Sequence, residues 1–313
     1  MQQAARIQGL LAPVVTPFKA DLRVDPGRLI SHCRWLLTQN CGLAVFGTNS
    51  EANSLSVRER MALLDALLAA EIDPGRMMPG TGCCALPDTV RLTRHAAQAG
   101  CAGVLMLPPF YYKGVSEDGL FRYFAEVVER VGDARLRIYL YHIPPVAQVG
   151  ITPTLVERLL KAYPSAIAGM KDSSGDWNHT KTFLDGFAQS GFDVFVGSES
   201  FLLANLRNGG VGCISATANV NPAAIDQLCR EWKNPGADAR QAALNAVRHA
   251  VAQFGMIPAL KQVVAHYARD PDWVTLRPPL VQISNTQVKT VIDALEKLSF
   301  RMPGLACILH QPN

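Results

Sequence analysis

The sequence predicts an α/β fold of the (β/α)8 class, a TIM barrel, with a C-terminal helical extension. Eight short apolar segments alternate with helical stretches between residues 10 and 220, which is the repeat of such a barrel. Continuous apolar character is typical of strands that are buried on both faces of a parallel sheet. The alternative is an open doubly wound sheet, and it is disfavoured because no Gly-x-Gly-x-x-Gly fingerprint follows the first segment.

The predicted elements follow one another in a regular order. The strands are 10–18, 43–47, 77–82, 103–110, 136–144, 166–174, 192–200 and 212–220. In the helix over 56–72, Ser56 and Glu59 form a capping box, and Asp88 is expected to cap the helix over 88–100. Residues 241–254 form a clear amphipathic helix.

Strand-like segments stop after residue 220, and this sets the predicted domain organisation. Residues 1–222 form the barrel core, and residues 223–300 form the last barrel helix and the C-terminal helical extension. Residues 301–313 contain Pro303, Gly304 and Pro312 and are predicted to be an irregular tail.

Composition excludes several classes of function. The net charge is only +4 over 313 residues, and no basic run carries interleaved aromatic residues, so nucleic acid is not an expected partner. No uncharged apolar stretch approaches the roughly 20 residues of a membrane span, and the first residues are not predicted to be a signal peptide. The eight cysteines lack Cys-x-x-Cys spacing, which favours reduced thiols in a cytoplasmic protein. No metal site and no cofactor are predicted, because the seven histidines form no ligand pattern.

The ends of the predicted strands carry the candidate chemistry, because barrel enzymes place their active sites there. Lys171 ends the apolar run IAGMK and would be desolvated, which favours a neutral, nucleophilic amine. Pairing with Asp172, or extension of the ammonium to the rim, is an equally good reading of its position alone. Tyr141 ends the preceding strand and could supply the proton relay that Schiff-base formation needs, although a core aromatic is the ordinary reading.

The loop GTNSE, residues 47–51, follows the second strand and offers successive backbone N–H groups that suit a small carboxylate. Glu51 is a candidate for ordering this loop. The alternative is an ordinary turn in which Asn49 and Ser50 act as caps.

In these motifs the chain resembles the dihydrodipicolinate synthase and N-acetylneuraminate lyase family of pyruvate-dependent class I aldolases. The resemblance spans about residues 9–280 and rests on these motifs: APVVTPF (12–18), GTNSEANSL (47–55), PPFYYK (108–113), YHIPP (141–145), GMKDSSGD (169–176), GCISATANV (212–220) and RPPL (277–280). The family implies a (β/α)8 barrel that assembles as a homotetramer, a dimer of dimers.

The resemblance also implies roles for individual residues. Lys171 would be the Schiff-base lysine and Tyr141 the proton shuttle. Thr48 would join the relay, and Tyr112 would relay protons into a neighbouring subunit. Backbone groups of Thr48 and Asn49 would hold the pyruvate carboxylate, while Gly197 and Ile214 would line the pocket.

Departures from the family pattern bear on the substrate. Asn49 stands where the synthase branch has a second relay hydroxyl, and Val146 lies near the position of the arginine that binds the carboxylate of aspartate semialdehyde. Losing a bidentate arginine contact would cost about 2–5 kcal/mol of binding. Ser198, Glu199 and Ser200 stand where the neuraminate branch has two acidic residues, which suits a shorter hydroxylated or aldehyde-bearing substrate.

The leading hypothesis is a lyase that makes or cleaves a C–C bond between pyruvate and an aldehyde, and that does not act on aspartate semialdehyde. One alternative is 4-hydroxy-tetrahydrodipicolinate synthase. Another is a dehydratase of a 2-keto-3-deoxy sugar acid. A non-enzyme alternative is a sensor or subunit that binds a 2-oxo acid without turnover.

Overall fold

The structure is a computed structural model and describes residues 6–309, apart from the side chains of residues 308 and 309. The strands are β1 (Gly9–Ala12), β2 (Gly42–Leu43), β3 (Val104–Met106), β4 (Ile138–His142), β5 (Ile167–Asp172), β6 (Asp193–Val196) and β7 (Gly212–Ile214). The helices are α1 (Pro26–Thr38), α2 (Val57–Ala69), α3 (Leu86–Gln98), α4 (Glu117–Val131), α5 (Pro144–Ala147), α6 (Pro153–Ala162), α7 (Trp177–Phe187), α8 (Leu202–Arg207), α9 (Pro222–Glu231), α10 (Ala237–Ala252), α11 (Met256–Ala268), α12 (Asn285–Lys297) and α13 (Leu305–Leu309).

The chain forms two compact units. The first unit contains Asp73–Ile214 and the described residues up to Gly9. The second contains Leu10–Ile72 and the described residues from Ser215 onwards. Strand and helix alternate up to Ile214, and only helices follow, as the sequence predicts.

The first unit is built on a parallel sheet in the order β7-β6-β5-β4-β3. The predicted strand over 77–82 is reduced to a bridge beside β3, in which Thr81 N donates to Leu105 O (3.0 Å) and Leu105 N to Pro79 O (2.9 Å). Gly82 lies so close to the neighbouring backbone that a Cβ would meet Leu107 N at 2.4 Å. Counting this segment, the eight predicted strands are all present.

The second unit contains the parallel pair β1 and β2, with Leu11 opposite Gly42 and Ala12 opposite Leu43. It also contains the helices that precede Asp73 and those that follow Ile214. The capping box of α2 is confirmed, because Ser56 accepts from Glu59 N (3.2 Å) while the Glu59 carboxylate accepts from Ser56 N (2.9 Å).

The fold is of the predicted α/β class, a (β/α)8 barrel followed by C-terminal helices, and the strands are shorter than the apolar runs that predict them. The run over 10–18 is a strand only up to Ala12, and the run over 212–220 turns after Ile214 into a 3₁₀ helix, Ala216–Asn219. Residues 13–18 and 215–220, which follow these two strands, are buried although they lie outside the strands, so small and apolar residues continue past each strand end.

Two local predictions are corrected. Helix α3 begins at Leu86 with Ala85 at its N-cap, so Asp88 lies in the first turn and is not the cap. Pro87 explains the earlier start, because proline is favoured in the first turn of a helix. The segment predicted as an irregular tail contains α13, whose first residue, Leu305, is fully buried.

Residues 310–313 of that tail lie outside the described residues. The predicted boundary between residues 222 and 223 stays a prediction. Within residues 6–309, no helix combines the length and the apolar character needed to cross a membrane.

Candidate active site

Tyr141 and Lys171 lie side by side on β4 and β5. Their Cα atoms are direct partners in the parallel ladder, and the Lys171 Nζ lies 4.3 Å from the centroid of the Tyr141 ring. Each residue is only 2% exposed. Because partners on neighbouring strands point to the same face of a sheet, the amine and the phenol share one buried environment.

Asp172 points to the opposite face and does not neutralise Lys171. Its Oδ1 accepts from Ser174 N (2.8 Å), and its Oδ2 accepts from Thr180 Oγ1 (2.7 Å) and from His179 Nδ1 (2.9 Å). Successive side chains of a strand alternate between faces, which explains why the two neighbours separate. Of the two structural readings of Lys171, pairing with Asp172 is therefore wrong, and the burial of Lys171 contradicts extension to the rim.

The residues that follow β6 form a tight turn beside the end of β5. Gly197 N donates to Asp172 O (2.6 Å), and a Cβ on Gly197 would lie 1.9 Å from Ser173 Oγ. Only glycine allows this approach. Gly197 therefore fixes the path of the segment that carries Ser198 and Glu199.

Ser198, Glu199 and Ser200 begin a 3₁₀ helix, Glu199–Phe201. The Ser198 hydroxyl caps this helix by accepting from Ser200 N at 3.2 Å, and Glu199 is 1% exposed. Ile214 ends β7 and is fully buried. The Ser198 hydroxyl is thus already in use in the fold, and Glu199 is a buried carboxylate in the same turn.

Tyr112 lies between β3 and α4 on the surface of the chain. It is 69% exposed and Tyr111 is 73% exposed, with the two rings edge to face at 5.4 Å. The neighbouring Lys113 donates to Phe110 O and to Ala147 O (2.8 Å), which ties this segment to α5.

In the second unit, Thr48 and Asn49 lie in a 3₁₀ helix, Thr48–Ser50, directly after Gly47. Both are half-buried. The turn is held by Thr16 Oγ1, which donates to Ser50 O (2.6 Å), and by the Ser50 hydroxyl, which accepts from Gly47 N at 3.2 Å. Glu51 then takes a left-handed conformation, with φ of 54°.

The sequence analysis missed a second buried lysine, Lys261 in α11. Its ammonium contacts the Glu51 carboxylate, donates to Thr275 O at 2.8 Å and lies 4.5 Å from the centroid of the Phe18 ring. The Arg277 guanidinium lies over the same ring, at 4.7 Å. The role of Glu51 in ordering its loop, which the sequence suggested, is supported by these contacts.

Burial governs the charges of this group. It lowers the pKa of Lys261 to about 8 and raises the pKa of Glu51, and the mutual attraction of the two groups only partly offsets both effects. Arg277 also donates a hydrogen bond to the Glu59 carboxylate, which lowers the pKa of Glu59 to about 2. Lys261 lies inside the apolar helix pattern of MIPALKQVVAHYA, where the only sequence signal is a charged residue on a buried face.

Within residues 6–309, one cluster of side chains could hold a metal ion, and it consists of His142, Asp172 and His179. Each residue offers one nitrogen or oxygen ligand atom, and these atoms lie within 4.8 Å of one another. The three residues come from β4, β5 and α7 of the first unit. Their spacing in sequence gives no ligand pattern, which is why the sequence analysis did not find them.

Comparison with known proteins links the chain to one family. The family model of the dihydrodipicolinate synthetase family matches residues 6–298. An uncharacterized DapA-like lyase of Chloroflexus aurantiacus is 34% identical over 297 residues, which cover 94% of this chain and 98% of the relative.

Two solved structures extend the match to three dimensions. Dihydrodipicolinate synthase of Agrobacterium tumefaciens has a TM-score of 0.86 at 34% identity, and the match covers 93% of this chain and 99% of that one. YagE of Escherichia coli K12, a prophage protein of the dihydrodipicolinic acid synthase family solved in complex with pyruvate, has a TM-score of 0.85 at 26% identity. That match covers 95% of this chain and 100% of the other.

Proposed function

From the premise that this chain belongs to the dihydrodipicolinate synthetase family, we propose that Lys171 forms a Schiff base with the ketone of pyruvate. The enzyme is a lyase of the pyruvate-dependent class I aldolase type. The observation that carries the proposal is the buried pair of Lys171 and Tyr141, which lie next to each other on β4 and β5. The pyruvate bound to YagE supports the choice of the 2-oxo acid.

The reaction begins with attack of the neutral Lys171 amine on the C2 carbon of pyruvate. The resulting carbinolamine loses water when its hydroxyl receives a proton, and Tyr141 supplies that proton in this proposal. The iminium makes the methyl group acidic, and loss of a methyl proton gives an enamine. The enamine carbon attacks the aldehyde, and hydrolysis releases the product and the free amine. Cleavage runs the same steps in reverse.

The remaining predicted residues take supporting roles. Thr48 joins the proton relay, and the backbone groups of Thr48 and Asn49 hold the pyruvate carboxylate. Their 3₁₀ turn supports this role, because its N–H groups follow one another in a short helical turn. Gly197 and Ile214 line the pocket around the lysine.

We assign the aldehyde to a class without a terminal carboxylate. Val146, in α5, is 60% exposed and offers no charge near the position at which the synthases have an arginine. Glu199 adds a buried carboxylate after β6, which disfavours a second negative charge and suits hydroxyl groups. The proposed substrates are therefore hydroxylated or neutral-tailed 4-hydroxy-2-oxo acids and their aldehydes.

The second candidate is 4-hydroxy-tetrahydrodipicolinate synthase, the activity that would use aspartate semialdehyde. It is favoured by the 34% identity to the Agrobacterium synthase and by Lys113, whose ammonium reaches the carbonyl of Ala147, next to Val146. In that case Lys113 would have to bind the semialdehyde carboxylate in place of the missing arginine.

The proposal also covers the oligomeric state and the cellular location. We place the exposed Tyr111–Tyr112 pair at a subunit boundary of a homotetramer, because exposed aromatic patches are typical of interaction surfaces. A cytoplasmic location fits the eight cysteines, none of which forms a disulfide in the described part of the chain.

A direct test is a panel of 2-keto-3-deoxy acids assayed for release of pyruvate and of the matching aldehyde. The proposal predicts release of both in equal amounts. Loss of water without pyruvate would identify a dehydratase instead. Binding of pyruvate with no turnover on any member would identify a sensor or subunit.

A further inference from the structure

His142, Asp172 and His179 form a cluster directly behind the pair of Tyr141 and Lys171. His142 follows Tyr141 on β4 and Asp172 follows Lys171 on β5, and the two are themselves partners in the ladder. Because strand side chains alternate, the first pair faces one side of the sheet and the second pair faces the other. The cluster is completed by His179 from the first turn of α7.

Asp172 connects the end of β5 to α7. Its Oδ2 accepts from Thr180 Oγ1 (2.7 Å) and from His179 Nδ1 (2.9 Å), and the carboxylate side chain is completely buried. A carboxylate only accepts hydrogen bonds, so His179 must carry its hydrogen on Nδ1. Hydrogen bonds to an ionised acceptor are about twice as strong as neutral ones.

His142 joins the same arrangement from β4. Its Nδ1 accepts from Ile151 N at 2.9 Å, and its ring stacks on the His179 ring with centroids 4.1 Å apart and planes 13° from parallel. Burial lowers the pKa of His142 to about 4, so the ring that faces His179 is neutral near pH 7. Both catalytic strands are thus held against one helix.

This geometry does not suit a metal ion. Nitrogen lone pairs lie in the ring plane, so two nearly parallel stacked rings direct them side by side and not toward a common point. His142 Nδ1 is also occupied by Ile151 N, and both oxygens of Asp172 already accept hydrogen bonds.

We propose that His179 and Thr180 are positioning residues, which act through Asp172 to hold the Lys171 amine beside Tyr141. This inference rests on the proposed function. A misplacement of about 1 Å in a reacting group can cost on the order of 100-fold in rate. Lys171 is the residue directly before Asp172, so a shift of the Asp172 side chain and its backbone moves the amine as well.

The test measures how fast borohydride traps pyruvate on Lys171 at saturating pyruvate, together with kcat and KM. Thr180→Val removes one donor to Asp172 without changing the side-chain shape. We expect trapping and kcat to fall by about 10-fold or more, with a smaller change in KM. Thr182→Val is the matched control, because Thr182 lies on the same helix and its hydroxyl donates only to its own helix, at Asn178 O (2.9 Å). The Thr182→Val variant should have the same trapping rate, kcat and KM as the unchanged protein.

Substitutions at His179 test the position of the donor. The amide N–H of Asn can occupy the place of His Nδ1, whereas that of Gln reaches the place of Nε2. His179→Asn should therefore retain most of the trapping rate, and His179→Gln and His179→Leu should lose it. If His179→Leu does not fold, the comparison of Asn with Gln still decides the question.

The outcomes separate the two proposals. If the unchanged protein takes up no pyruvyl group, the proposed function fails, and the positioning role fails with it. If the unchanged protein is labelled at Lys171, and Thr180→Val and His179→Gln are labelled equally fast, only the positioning role is overturned. A metal site would be indicated if chelation slowed the unchanged protein and added zinc restored it, and this result would also overturn the positioning role.

Discussion

The ammonium of Lys261 lies against the carboxylate of Glu51, and both side chains are completely buried. The pair connects α11 to the loop that carries Thr48 and Asn49, which are proposed to hold the pyruvate carboxylate. Burial lowers the pKa of Lys261 to about 8, so the protein contains a buried lysine besides the proposed nucleophile Lys171.

Replacing Lys261 by Met is expected to destabilise the protein by about 3–5 kcal/mol, because it leaves the buried Glu51 carboxylate without its partner. The free energy of unfolding in urea measures the effect. The double variant, Lys261→Met with Glu51→Leu, removes both charges and should recover much of the loss. A single variant as stable as the unchanged protein would show that the pair is not structural.

Stability should fall as the pH is lowered from about 6.5 to 4, and His32 should account for part of the fall. Burial lowers the pKa of His32 to about 4, so in this range the unfolded chain binds a proton that the folded chain does not. Stability is therefore present above the unfolded pKa and is lost as the pH falls, by up to about 3 kcal/mol for this histidine.

His32→Gln should remove that part of the pH dependence, measured by urea unfolding at pH 7 and pH 4.5. The exposed His249 offers a control, and His249→Gln should keep the full pH dependence. Equal pH dependence in the His32 variant and the unchanged protein would mean that other groups cause the loss.

Tyr141→Phe should lower turnover by about 10²–10⁴-fold, which is the usual contribution of a general acid or base. The change keeps the ring and its packing and deletes only the hydroxyl. Tyr139→Phe is the matched control, since Tyr139 lies on the same strand and donates to Asp193 Oδ2 at 3.1 Å. The control should lose some stability but little turnover. Unchanged turnover in Tyr141→Phe would assign the proton to water or to Thr48.

Tyr112 should act across a subunit boundary. If it does, mixing inactive Lys171→Ala chains with inactive Tyr112→Phe chains restores part of the activity, because some mixed sites receive both intact residues. Mixing Lys171→Ala with an inactive Tyr141→Phe variant gives the contrast, since both residues belong to the same chain's site and no recovery is expected. A fully active monomer in sedimentation would contradict the proposal.

Aspartate semialdehyde should be a poor partner for pyruvate compared with neutral-tailed aldehydes. Its carboxylate would lie near Val146, which is 60% exposed and offers no cation in place of the bidentate arginine contact of the synthases. Comparison of kcat/KM for the two classes measures this. Val146→Arg should improve the semialdehyde selectively, while a preference for the semialdehyde that disappears in Lys113→Met would identify Lys113 as its anchor.

Much of the fold and the central pair could be predicted from the sequence, because both depend on local patterns. Buried parallel strands produce continuous apolar runs, and the residue that ends such a run must lie at the strand end. Tyr141 and Lys171 each lie near the end of such a run, one residue before the last residue of β4 and of β5, so their strands could be inferred one by one. Their register, which makes them direct partners, is visible only in the structure.

The features that were missed depend on contacts between distant segments. Lys261 is separated from Glu51 by 210 positions, and its helix looks like any other apolar helix. The cluster of His142, Asp172 and His179 is formed by residues of two strands and a helix, so no fixed spacing in the sequence predicts it. Helix α13 begins directly after Pro303 and Gly304, which predict a loop, and its first residue, Leu305, is fully buried.

The measurement that tests the account most directly is the location of the label after reduction of the enzyme with borohydride in the presence of pyruvate. Two buried lysines compete for this role, and only Lys171 has the Tyr141 phenol beside it, while the Lys261 ammonium is held by Glu51 and Thr275. We predict one reduced pyruvyl group per chain, found on the peptide that contains Lys171, and no uptake by Lys171→Ala. A label on Lys261 or on any other lysine, or no label at all, would contradict the account.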